Sequence, residues 1–167
     1  MSAQMFLKLE GIPGQTLVDG VAKQIECLSF SHGVSHPMTF GPSNQARTSG
    51  RPNHQDFTVT KYLDESSPKL IEHCNRGEDV KTATFTFSQS DGPSGKLTPL
   101  WIVTMTKALI SSYSAGGGGG DIPTETLTLN YTTIKWEFKA QTEDATKKGT
   151  AATGWDLTKN EVLKGGK

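Results

Sequence analysis

At 167 residues the chain has room for one domain around a single hydrophobic core and too little for two. Lys plus Arg and Asp plus Glu both number 17, so the formal net charge is zero. That balance lacks the basic excess a nucleic-acid binder uses against phosphates and gives no reason to expect an anionic membrane surface as partner.

Leu, Ile, Val and Phe supply only about a fifth of the residues. Threonine, β-branched yet polar, occurs 21 times and suits solvated sheet faces. A modest core with broad polar sheet surface fits a domain that completes its burial against neighbours. The absence of net self-repulsion eases such association.

Residues 5–9 read as a short first strand, closed by the turn residues Gly11, Pro13 and Gly14. The first twenty residues carry neither the charged start nor the apolar run of a secretory signal, and no apolar run reaches the length of a membrane span. The expectation is a chain that stays in the cytoplasm or leaves by a route that needs no cleaved signal peptide. A second strand runs over 23–32, with Leu28 and Phe30 on one face and Cys27, Ser29 and Ser31 on the other. Residues 33–53, carrying Pro37, Pro42 and Pro52, read as a long irregular loop, a kind that is usually functional or disordered. Residues 55–62 resume alternation through Phe57, Val59 and Lys61.

One helix is expected, over about 66–76. Ser67-Pro68 supplies its cap and first turn, Leu70, Ile71 and Cys74 share one side, and Gly77 ends it. Three long β segments follow. In 80–89, Ala83, Phe85 and Phe87 alternate with threonines; 97–114 is rich in Thr, Val and Ile. In 125–139, Leu127, Leu129 and Tyr131 sit on odd positions, but Ile134, Trp136 and Phe138 sit on even ones. The slip at Thr132-Thr133 predicts a bulge, or a strand bending from one sheet into another, as in a barrel or orthogonal sandwich. A polar tail poor in structure is expected from about 142, tied down late by Trp155.

The motifs that could carry chemistry have plainer readings. The glycine run 116–120 is followed by Asp121-Ile122-Pro123 and a strand, not by Gly-Lys-Ser/Thr and a helix, so it reads as a hairpin connection and not a phosphate loop. His32 and His36 lack two further ligands at zinc spacing, and Cys27 and Cys74 read as reduced, buried thiols. No Gly-x-Ser-x-Gly elbow is present, and the acidic pairs lie at a helix start and in a polar tail. No catalytic residue, cofactor or metal is assigned. The three Trp read as core packing, with a monomeric sandwich that binds carbohydrate or peptide as the alternative function.

Several stretches, in order, resemble one family: Met5-Phe6-Leu7-Lys8-Leu9 with Gly11-Ile12-Pro13-Gly14; the run from Ile25 to Gly33; Thr60-Lys61-Tyr62-Leu63-Asp64; Ser66-Ser67-Pro68-Lys69-Leu70; Ile110-Ser111-Ser112-Tyr113; Pro123-Thr124-Glu125-Thr126; and Gly154-Trp155. The chain resembles the haemolysin-coregulated proteins (Hcp), tube subunits of the bacterial type VI secretion system. The resemblance implies a mostly β fold over 1–167, two packed antiparallel sheets forming a distorted barrel with the helix on its side. It implies a homohexameric ring made in the bacterial cytoplasm and then secreted, rings stacked into a tube, partnership with spike and sheath components, secreted effectors carried in the lumen, and a fold similar to that of phage tail tube proteins. On that reading Ser29 and Ser31 line the lumen and meet effectors. The loop 33–53 becomes an arm between rings, with Met38, Phe40, Arg47, Arg51 and His54 as ring or subunit contacts.

Overall fold

The computed structural model describes residues 3–40, 47–91, 95–140 and 149–164, and of residues 39–40, 47–49 and 91 the backbone alone. Its strands are β1 (Ala3–Leu9), β2 (Ile25–Cys27), β3 (Ser29–Ser31), β4 (Val34–Ser35), β5 (Met38–Phe40), β6 (Arg47–Ser49), β7 (Asn53–His54), β8 (Phe57–Tyr62), β9 (Asp79–Asp91), β10 (Lys96–Gly116), β11 (Thr124–Asn130), β12 (Thr133–Lys139), β13 (Thr150–Asp156) and β14 (Glu161–Val162). The one helix among the described residues, α1, spans Ser67–Arg76.

All pairings are antiparallel. β1 lies between β2 and β9, and β9 pairs with the long β10. On its other side β10 carries β12 along its first half and β11 along its second. From β12 the array continues through β13 to β14; from β11 it continues through β8 to β3. β2 and β3 are one stretch of chain interrupted at Leu28, so the circuit returns to β1 and the two layers wrap into a distorted barrel. Leu7, Ile25, Phe57, Phe85, Met105 and Leu127 are fully buried between the layers.

The face change expected at Thr132-Thr133 is a bend that crosses three strands without a register slip. Val80 and Ala83 both face the core, as do Met105 and Ala108, and Tyr131 and Ile134. The pairings Met105↔Ala83 and Ala108↔Val80, and Thr106↔Thr133 and Leu109↔Asn130, keep one register across it. Lys107 takes φ 50°, a left-handed conformation that turns the central strand over at that line. Extra residues fall elsewhere on β10, at Ser111 and between Pro99 and Trp101.

Several local expectations are corrected. Cys27 does not share a face with Ser29 and Ser31: it is buried with Ile25, because the chain changes partner from β1 to β8 at Leu28 and inverts its sides there. Leu28 is 40% exposed. In α1 the cap position is Ser66, while buried Ser67 accepts a hydrogen bond from the Asp64 N–H. Gly77 ends the helix at φ 61°, as expected. Leu70 is buried, but Ile71 turns outward.

The described part of 33–53 is not irregular. β4 pairs with β7 and β5 with β6, making an antiparallel ribbon apart from the barrel. Pro37 and Pro52 fall between the two short ladders, where the register shifts and a missing N–H costs nothing. Pro42 lies outside the described residues. Part of the tail is also ordered: β13 pairs along all of β12, and Trp155 packs on the core. Residues 141–148 lie outside the described part.

Candidate functional site

Period-two alternation puts one row of β8 into the core and the other outside. Phe57, Val59 and Lys61 are buried; Thr58, Thr60 and Tyr62 face out. β11 does the same with Glu125, Leu127 and Leu129 against Thr124, Thr126 and Thr128. Register then aligns the outer residues across four strands. One row is Ser29, Thr60, Thr126 and Ser114; the next is Ser31, Thr58, Thr128 and Ser112. The outcome is a sheet face of hydroxyls. Cross-strand Thr and Ser pairs of this kind each contribute about 0.2–1 kcal/mol.

One end of the face is knitted together by side chains. The extra residue Ser111 donates to Asp56 Oδ2 at 2.6 Å, and Asn130 Nδ2 donates to Asp56 Oδ1 at 3.0 Å. Thr128 Oγ1 lies 2.6 Å from the hydroxyls of both Ser111 and Ser112. Asp56 is the one charged group among these positions, so the face is polar and nearly neutral.

Behind it lies a buried ion pair. Lys61 and Glu125 are register partners, both fully buried, with Nζ 2.7 Å from Oε2. Lys61 also reaches Asp64 at 2.9 Å and the Tyr62 carbonyl at 2.9 Å. Tyr113 donates to Glu125 Oε1 at 2.6 Å. Burial, reinforced by that carboxylate, pushes the Tyr113 phenol up to about 12. Burial likewise pushes the Cys27 thiol up to about 12, against the pull of the Lys61 ammonium. Both cysteines are free; Cys27 is buried and Cys74 half-buried.

The expected contact residues separate into two places. Ser29 and Ser31 stand together on the hydroxyl face, both exposed. Met38 is 55% exposed on the ribbon, and Phe40 and Arg47 are register partners there, with backbone alone described. Arg51 is exposed nearer the barrel. His54 does not join them. Its ring turns in at the ribbon's root, stacked on Trp136 at 6.2 Å and 16°, while His32 meets the same indole at 5.9 Å. Burial lowers the pKa of both histidines. Of the glycine run, Gly116 ends β10 and the rest lies in the connection to β11, a hairpin as expected.

The family described as "Type VI secretion system effector, Hcp" matches residues 6–138. Protein hcp1 of Pseudomonas aeruginosa is 32% identical over 162 residues, covering 96% of this chain and 98% of that one. The chain belongs to the Hcp family. A solved structure of a type six secretion system protein superposes with TM-score 0.87 at 27% identity, over 97% of this chain and 100% of that one. Hcp1 from Salmonella typhimurium shares the fold, with TM-score 0.79 at 22% identity, over 98% of this chain and 100% of that one. Hcp proteins are secreted structural tube components of type VI secretion and not enzymes. No helix among the described residues is long and apolar enough to cross a membrane.

Sequence reasoning found two hydroxyls of this Hcp face and missed the others. Thr58, Thr60, Thr126 and Thr128 were legible by extending the alternation already read in their strands. The Ser111–Asp56 link was not, because nothing in the sequence marks an extra residue within a long strand.

Proposed function

We propose that this chain is a subunit of a type VI inner tube, closing with five further copies into a ring whose lumen is the hydroxyl face. One observation carries the reading: the sheet β3-β8-β11-β10 has two open edges on opposite sides. β3 has β8 as its one strand partner among the described residues. The pairing of β10 with β9 stops at Leu109, leaving 110–116 with β11 alone among the described residues.

Unpaired edges seek partners, and unlike edges on opposite sides favour head-to-tail contacts that can close a ring. Four strands per copy, each antiparallel to the next, mean that β10 of one copy meets β3 of its neighbour antiparallel too. The hydroxyl rows then run on from copy to copy. Rings stack through the ribbon, where Met38, Phe40, Arg47 and Arg51 meet the adjoining ring and His54 anchors the ribbon's root. Ser29 and Ser31 contact effectors inside. Spike and sheath components are the other partners, and the subunit passes from the cytoplasm to the outside with the apparatus.

Negative-stain microscopy and sedimentation test the reading together. Ring-shaped particles of about six copies are expected near neutral pH; a strictly monomeric species at high concentration overturns it. Ser31→Trp is expected to reduce effector co-purification and leave the rings intact. Loss of rings instead would place Ser31 in a subunit contact.

A further inference from the structure

The apolar side of the same sheet carries a second feature. Between the layers, beside the open edge of β3, lies a cavity of about 370 Å³ lined by Phe30, His32, Phe57, Phe87, Trp101 and Val103. It forms because β2 stops at Cys27 and the chain crosses to β8, so the layers part there. Phe30 stands at its lip, 39% exposed, its ring 4.7 Å from Phe85 and 5.9 Å from Phe57. The lining carries no charged residue at neutral pH; His32, the one titratable group, is held neutral by burial. An apolar concavity of this size calls for an apolar occupant.

The opposite edge of the sheet offers one. α1 packs along β10. It starts beside the Lys61–Asp64 anchor, level with Glu125 and Ala115, and leads into β9 where Asp79 pairs Leu109. The helix therefore runs along the same stretch of β10 that lacks a second strand partner. Leu70 is spent on the core, whereas Ile71 remains 40% exposed. The neighbouring charges cancel, since Glu72 and Arg76 pair with each other at 2.8 Å. One edge of the molecule thus presents an apolar knob and the other an apolar hole.

We infer that the cavity beneath Phe30 is the seat for α1 of the next copy, with Ile71 entering beside the Phe30 ring. The inference rests on the ring reading and specifies its junction: backbone pairing closes the hydroxyl side, and the helix fills the apolar side. Such a contact is heterologous, so each copy uses both halves.

Mass photometry of single variants and their mixture tests it. Ile71→Glu lies on an exposed helix flank, so the fold stays intact; each junction is expected to weaken about tenfold to a hundredfold and rings to give way to monomers. Phe30→Glu, which spoils the hole, has the same effect. Mixing the two restores one good junction, the intact helix of Phe30→Glu in the intact cavity of Ile71→Glu, and yields heterodimers but no rings. Wild-type rings with Ile71→Glu rings of equal stability overturn the inference and leave the ring reading standing. A monomeric wild type overturns the ring reading itself. Dimers appearing with either variant alone would mean that another surface makes the contact.

Discussion

The two most consequential single residues sit back to back with the hydroxyl face. Lys61 and Glu125 are fully buried and 2.7 Å apart, and removing one partner leaves the other charge stranded in the core. Lys61→Met is therefore expected to destabilise the fold by about 3–5 kcal/mol. Lys61→Met with Glu125→Gln recovers most of that, because the charge is gone and Tyr113 keeps an acceptor; denaturant midpoints of the three proteins measure it. His32 and His54 set a pH dependence of definite sign. Burial holds both below the ordinary value of 6.5, so the unfolded chain binds more protons than the folded one in the interval between. Stability from this source is complete above 6.5 and is lost as pH falls through that value towards the folded pKa. His32→Phe, which keeps the ring among Phe57, Tyr131 and Trp136, is expected to flatten the fall in melting temperature between neutral and mildly acidic pH. An unchanged slope would show that carboxylates dominate there.

Among the elements, the connection from β1 to β2 depends on one close approach. A Cβ on Gly14 would lie 2.3 Å from the Gln24 carbonyl oxygen, and its N–H already donates to Lys23 at 2.8 Å. Backbone cannot yield as a side chain can, so Gly14→Ala is expected to cost about 1–3 kcal/mol in thermal or denaturant unfolding. A wild-type midpoint would mean that the whole connection shifts. How far such elements could be read in advance follows from whether one side of each strand is apolar. Phe57-Val59-Lys61 and Glu125-Leu127-Leu129 alternate so regularly that both strands, and the meeting of opposite charges inside, were within reach of the sequence. Thr150-Ala151-Ala152-Thr153 has no large apolar side, and β13 exists because β12 offers it an edge. The ribbon was hidden for a related reason. Prolines that break each strand are harmless between two short ladders, a fact that depends on the partner strand and not on local propensity. The partner change at Leu28 is likewise a tertiary event; local alternation alone put Cys27 on the wrong side.

For the whole molecule, the question is what kind of force holds copies together. Net charge is zero, Asp56 is the one charged residue among the described hydroxyl rows and the end that links them, and the cavity beside β3 is lined by aromatic and aliphatic groups. Neither open edge of the β3-β8-β11-β10 sheet presents a row of charge. The junction proposed above therefore consists of backbone hydrogen bonds and apolar burial, neither of which is screened by salt. Ring assembly is expected to change by less than about threefold between low salt and roughly 0.5 M sodium chloride, since a junction without ion pairs has little for the counterions to screen. Strongly excluded salts such as sulfate should strengthen it, because they favour apolar burial. Ring-to-ring stacking through Arg47 and Arg51, as proposed for the ribbon, should respond differently and weaken as salt rises. Sedimentation across a salt series separates the two, because single rings and stacks differ in mass by whole multiples. Rings that fall apart at moderate salt would mean that ion pairs hold the subunits together, and would move the junction away from the edges of the hydroxyl-faced sheet.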